Sequence, residues 1–433
     1  MKPITSPSKS YRLLNAAVIV AALGYFVDIY DLLLFGIIRT PSLTSLGFVG
    51  DANRNQGEFL ISMQMWGMLV GGIFWGVLGD KRGRLSVLFG SILTYSIANI
   101  ANGLVNSLES YAVWRFIAGI GLAGELGAGI TLVTETLSKE KRGYGTMIVA
   151  SVGLTGAVVA NLIYQSFKSG IQIGDTLVEG WRMCYFIGGG LGLLLLLLRV
   201  SVTESGMFAH IKETQVSKGN FFALFTDRKR LIKYLQCIFI GIPLWFLVGV
   251  LVTFSPEFAK KLGVIKAETV LGGTAIAWCY SGVVLGDLAS GFLSQKLKSR
   301  KKVMAIFLTL NLLMAFVYLN AYGVSVPAFY AICMLMGFSV GYWVIFVTIA
   351  AEQFGTNIRA TVTTTVPNFV RGSLPLIIIL YQFFRDKVFN TNPEKSILWA
   401  GMVMSVLLAV IAFFALWGMK ETFNEDLGYT EKI

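Results

Sequence analysis

The chain has 433 residues, of which 55% are hydrophobic and only 14% charged. Soluble domains carry about 25% charged residues, and a water-soluble fold of this length has no interior large enough to hide so much apolar side chain. This excludes a water-soluble enzyme and a disordered chain, and leaves a polytopic membrane protein. The net charge of +12 sits in short basic runs between apolar stretches, which suits an anionic inner membrane leaflet. No nucleic-acid partner is expected.

A spanning helix needs about 20 mostly apolar residues. Twelve stretches qualify: Leu14–Ile38, Gly57–Gly79, Leu85–Asn106, Tyr111–Val133, Tyr144–Tyr164, Arg182–Val202, Lys233–Phe254, Val270–Leu293, Val303–Tyr322, Pro327–Ala350, Ala360–Phe384 and Ile397–Gly418. Backbone groups in hydrocarbon must be satisfied within the segment, so all twelve are expected to be helices. The first run follows a mildly basic start without a small-residue cleavage site, and it reads as a retained helix. Cys184, Cys237, Cys279 and Cys333 lie singly in apolar runs and His210 in a polar one. No metal, disulfide or cofactor is indicated.

Orientation follows from Lys and Arg in alternate loops. The N-terminus, even-numbered loops and C-terminus hold 23, the odd-numbered loops 9. Both termini are therefore expected in the cytoplasm of a multi-pass plasma membrane protein (the inner membrane, if bacterial). The polar stretch near Thr203–Arg230 divides the chain into a bundle over 1–202, a cytoplasmic linker over 203–232 and a second bundle with its tail over 233–433. The halves are related in sequence. Gly76-Val-Leu-Gly-Asp80-Lys-Arg82-Gly-Arg84 has a counterpart in Gly291-Phe-Leu-Ser-Gln295-Lys-Leu-Lys-Ser-Arg300, offset by 215. Glu135 with Arg142 and Glu352 with Arg359 repeat at an offset of 217, as do Glu204 and Glu421. Two copies of six helices enter the membrane the same way round, which is a transporter plan.

These residues resemble the major facilitator superfamily over essentially the whole chain. The Gly76–Arg84 segment is similar to its cytoplasmic loop motif, and Arg115-Phe-Ile-Ala-Gly119-Ile-Gly121 to its fourth-helix motif. Glu135 to Gly143, Glu204-Ser205, Glu352 to Arg359 and Glu421-Thr422 resemble signatures of sugar porters and metabolite:proton symporters. Gly24-Tyr-Phe-Val-Asp28-Ile-Tyr30-Asp31 is similar to the first helix of the latter group, with Asp28 where they usually have Glu. The second-half loop departs from the motif, with Gln295 where Asp80 stands. The implied fold is all-α, with twelve transmembrane helices in two pseudo-symmetric six-helix bundles.

Ionisable groups at depth in a bilayer are costly and mark function. Asp31 in the first span and Arg115 in the fourth lie within roughly 4 Å of the same depth at ~1.5 Å per residue, so an ion pair is reachable. The resemblance implies that such a pair couples protons: separation from Arg115 in a dry site makes Asp31 take a proton. Asp28, one turn earlier, is expected to share that proton or face the substrate. Glu125 is expected to contact substrate or relay the proton, with packing against a polar neighbour as the alternative. Arg371, beside Asn368 and without an acidic neighbour one turn away, is free to meet a substrate anion or to pair with an acid from elsewhere. Tyr280, Trp245 and Tyr342 are candidate cavity residues, and Asp287 reads as structural. Asp80, Arg84, Glu135, Arg142, Glu204, Glu352 and Arg359 are expected to latch the halves at the cytoplasmic face.

The expected function is proton-coupled import of a small polar metabolite, a carboxylate or amino acid, by alternating access. The alternatives are a facilitator or a proton-driven exporter of the same fold. A receptor needs no buried charges, and an enzyme needs a clustered nucleophile and base, which the chain lacks. Substrate, protons and lipid are the expected partners of a functional monomer.

Overall fold

A computed structural model describes residues 16–82, 84–125, 142–204, 221–423 and 431. The apolar stretches are helical over most of their described length. The first six spans are Ala16–Ser45, Gly50–Arg82, Arg84–Asn102, Leu108–Leu122, Arg142–Phe167 and Gly180–Glu204. The seventh runs over Arg228–Phe246 and continues as a π-helical turn, Leu247–Val252; the eighth and ninth are Gly272–Leu297 and Arg300–Leu319. The tenth is split into Val326–Val340 and Trp343–Glu352, the eleventh into Thr356–Gly372 and Leu374–Phe383, and the twelfth is Ser396–Gly418. Ten described helices are long and apolar enough to cross a membrane. Span three contributes a shorter apolar run, Val87–Asn102. Bulky apolar residues such as Phe292, Phe414 and Trp417 point outward, which only a lipid solvent tolerates in such number.

Spans one and two each reach further than hydropathy indicates, to Ser45 and from Gly50. The turn between them is closed by backbone, not by polarity: Gly47 and Gly50 stand at φ 90° and 57°, where a side chain is strained. Ser107 caps span four by accepting from the Ser110 N–H at 3.2 Å, which sets that start three residues before the expected Tyr111.

Glycine contacts fix how spans two and four meet. A Cβ on Gly67 or Gly71 would stand 2.1 or 2.5 Å from the carbonyl oxygen of Phe116 or Ile120, and one on Gly119 2.0 Å from that of Gln64. The same triplet recurs between spans eight and ten: Gly282 against Met334, Gly286 against Phe338, and Gly337 against Cys279. Small residues let the backbones touch where hydrophobic force is absent. The duplication is therefore preserved in packing as well as in loops. Its register equates Gln64 with Cys279 and Arg115 with Cys333.

Two spans predicted as continuous are broken. In the tenth, Gly341 lies so close to Gly286 that a Cβ would sit 2.3 Å from its backbone, and Asp287 accepts the freed Val344 N–H at 3.3 Å. The carboxylate thus caps the second segment. In the eleventh, Pro375 stands in the first turn of the second segment and donates nothing to the turn before it.

Candidate functional site

Arg371 ends the first segment of span eleven, next to that break, and is buried. Its guanidinium lies 4.0 Å from the carboxylate of Asp28 on span one, so the two halves contribute one charge each. That distance permits attraction but no hydrogen bond. Both Asp28 oxygens, and Nε and Nη1 of Arg371, are buried without a hydrogen-bond partner. Trp245 and Trp343 flank the guanidinium, with ring centroids 5.7 and 5.4 Å away, within cation–π range. Tyr280 is buried in the field of Arg371 and Asp28. Tyr342 is buried too, but its ring meets Phe307 at 6.5 Å.

The expected Asp31–Arg115 ion pair is not formed. Asp31 is buried over the Gly188 backbone, where a Cβ would come within 2.5 Å of its Oδ1, and both its oxygens lack a hydrogen-bond partner. Arg115 donates instead to the Gln64 amide oxygen and, at 3.4 Å, to the Tyr185 hydroxyl, with its guanidinium over the Phe35 ring. The glycine register turns Arg115 toward span two, while span one packs chiefly on spans five and six. Equal depth along two helices did not reveal their facing.

Glu125 is engaged by Arg199 of span six through two hydrogen bonds, one of them 3.1 Å long. This buried pair covers Gly24, which has no room for a Cβ. Of the two expectations for Glu125, a polar packing partner is the one observed. Asn368 donates to the Ala123 carbonyl at 2.9 Å and the Thr364 carbonyl at 3.0 Å. It joins the halves at mid-depth.

At the end of the bundle opposite the termini, two ion pairs cross between the halves. Arg39 meets Glu257 at 2.7 Å and Asn53 at 3.1 Å. Arg385 meets Glu58 at 2.5 Å, and Gln382 donates to the same carboxylate at 2.7 Å. Sequence reasoning passed over all four charges, although Arg39, Glu58 and Arg385 adjoin apolar runs, where a charge is a signal.

At the termini end, Arg300 pairs with Glu352 at 3.2 Å, and the Thr422 hydroxyl donates to Glu352 at 2.7 Å. Arg359 donates to the carbonyls of Ala351 and Phe354 at 2.9 and 3.2 Å. Glu421 accepts from Ser299 and from the Arg300 and Lys301 N–H groups at 2.8 and 3.2 Å. These contacts lie within the second half. Glu135 and the side chains of Asp80, Arg84, Arg142 and Glu204 lie outside the described residues.

The family model of the Major Facilitator Superfamily matches residues 16–372. The chain belongs to that superfamily. As a member of this family of membrane transporters it is not an enzyme. It is 25% identical over 421 residues to the putative niacin/nicotinamide transporter NiaP of Bacillus subtilis, covering 94% of this chain and 96% of that one. It is 27% identical to the sialic acid transporter NanX of Escherichia coli over 65% of each chain, just under two thirds of that relative. The cis,cis-muconate transport protein of Acinetobacter baylyi is 29% identical over 66% of this chain and 67% of its own. Among solved structures, the proton:xylose symporter XylE bound to 6-bromo-6-deoxy-D-glucose superposes with a TM-score of 0.70 at 14% identity, covering 95% of this chain and 97% of XylE. A bacterial homolog of the lysosomal transporter Spinster, inward-facing and occupied, gives 0.59 at 16% identity, covering 93% and 96%. The twelve-helix fold of this superfamily is the fold of the chain.

Proposed function

We propose that this protein is a proton-coupled symporter that imports a small carboxylate-bearing metabolite by alternating access. The moving bodies are residues 1–202 and 233–433, joined by 203–232, and both termini face the cytoplasm. The far-end ion pairs then close the outer face. The reading rests on one observation: Asp28 and Arg371, buried and 4.0 Å apart, come from opposite halves. A carboxylate bound to Arg371 takes away the charge that keeps Asp28 ionised, so anion and proton load together. Asp31, one turn along span one, shares that proton. Niacin, sialic acid and muconate, named for three relatives, all bear carboxylates.

Uptake of radiolabelled nicotinate, cis,cis-muconate and N-acetylneuraminate into proteoliposomes tests this. An inward proton gradient should raise uptake of at least one, and an uncoupler should remove the increase. Uptake indifferent to the gradient at every pH reduces the protein to a facilitator. Gradient-driven efflux makes it an exporter.

A further inference from the structure

Gln64 on span two carries a polar group that nothing described so far uses. It is 1% exposed, and its Nε2 has no hydrogen-bond partner, while its Oε1 accepts from Arg115. The direction of that amide is fixed by chemistry. A guanidinium offers only donors, so the amide oxygen must face Arg115 and the NH2 must face away. Gln64 borders a gap of about 20 Å³ between the halves, with Leu32 and Phe35 from span one and Trp245 and Val248 from span seven. Trp245 brings a second buried donor without a partner, its indole Nε1. The gap has room for one oxygen-sized group.

Packing does not require these polar groups. The duplicated register places Cys279 and Cys333 where Gln64 and Arg115 stand, and both are buried, free thiols. The second half therefore fills the same helix contact with small apolar side chains, in the same glycine register. A buried polar pair that the helix contact itself does not need points to a ligand.

We propose that the unpartnered donors of Gln64 and Trp245 form a subsite that takes one oxygen of the substrate carboxylate, and that Arg115 is the positioning residue that aims the Gln64 amide. This rests on the carboxylate reading above and assigns its oxygens: Trp245 touches both the gap and the Arg371 guanidinium, so the second oxygen lies toward Arg371.

Thermal unfolding of the purified full chain tests this, with sodium acetate as probe and equimolar sodium chloride as control. A ligand bound only by the native state raises apparent stability. Wild type should melt higher in acetate than in chloride. Gln64→Glu still accepts from Arg115 and so keeps its fold, yet offers no donor; it should lose most of the acetate increment. Trp245→Phe keeps the ring without the N–H and adds no charge, and should lose a comparable part. Arg115→Lys still offers only donors to Gln64 and should keep the increment. If only Gln64→Glu loses it, charge repulsion is the cause and the donor pair is refuted. If both variants keep it while Arg371→Lys loses it, the subsite falls and the carboxylate reading stands. No acetate effect in wild type, with none from nicotinate or muconate, refutes both. Loss in Arg115→Lys places Arg115 on the anion itself and ends its positioning role.

Discussion

Asp28 and Arg371 face each other across the division between the halves, and substitutions at the two positions should separate binding from coupling. Asp28→Asn mimics the protonated carboxyl in size and cannot release a proton. The variant should exchange loaded substrate by counterflow while failing to accumulate it, because substrate then moves without a proton. If Asp28→Asn still accumulates substrate and Asp31→Asn does not, the essential proton site is Asp31. Arg371→Lys keeps the charge but loses the planar fork that holds a carboxylate through two hydrogen bonds. Carboxylate affinity, read by titration calorimetry, should fall at least about tenfold, equivalent to about 1.4 kcal/mol; wild-type affinity removes Arg371 from the site. Their burial was legible in sequence, since a charge is rare enough in a span to stand out. The partners were not. Asp28 lies 343 positions from Arg371 in the chain, and only the packing of spans one and eleven brings them together.

Elements carry their own chemistry at their ends. Glu421, just beyond the last span, caps span nine: burial pushes its carboxyl up, but hydrogen bonds from Ser299 and from the Arg300, Phe423 and Lys301 N–H groups outweigh this and hold it below the usual carboxylate range. A carboxyl lowered on folding adds stability that is present above its unfolded value, near pH 4.3, and lost as pH falls through the folded one. The melting temperature should therefore drop on acidification below about pH 4, and Glu421→Gln should flatten that part of the curve. An unchanged slope in the variant would mean that the cap contributes nothing measurable. Hydropathy located the spans where they are described, because apolar length is a local property. It gave no sign of the break at Gly341, which arises from the approach of Gly286 on another helix. The break at Ser373 was open to reading in Pro375, and the apolar run over 374–381 hid it.

Across the whole molecule, Arg39–Glu257 and Arg385–Glu58 hold the halves together at one end. Arg385 and Glu58 are 4% and 2% exposed. Removing one member of such a buried pair costs roughly 3–5 kcal/mol, and here the loss falls on the closed arrangement alone. Glu58→Gln should therefore shift the population toward outward-open. A single cysteine beside the Asp28 site should then react faster with a membrane-impermeant maleimide added outside, and an unchanged rate would exclude a latch at this position. The two-fold repeat told from the sequence how many helices each half has. It did not tell which end is shut, because a conformational state is a relation between halves.

The pairing of one acid from the first half with one base from the second has an electrical consequence. When a monocarboxylate settles on Arg371 and a proton on Asp28, the loaded site has the same net charge as the empty one. The travelling cargo is then neutral, and a membrane potential, worth about 2.3 kcal/mol per unit charge at 100 mV, does no work on it. Accumulation should follow the pH difference alone, unmoved by a potassium diffusion potential set with valinomycin. A dicarboxylate dianion entering with one proton carries a net negative charge inward, and an inside-negative voltage must oppose it. The valence of the cargo is thus written in the voltage dependence of its uptake, and a response to potential by a monocarboxylate would mean that the stoichiometry is not one proton.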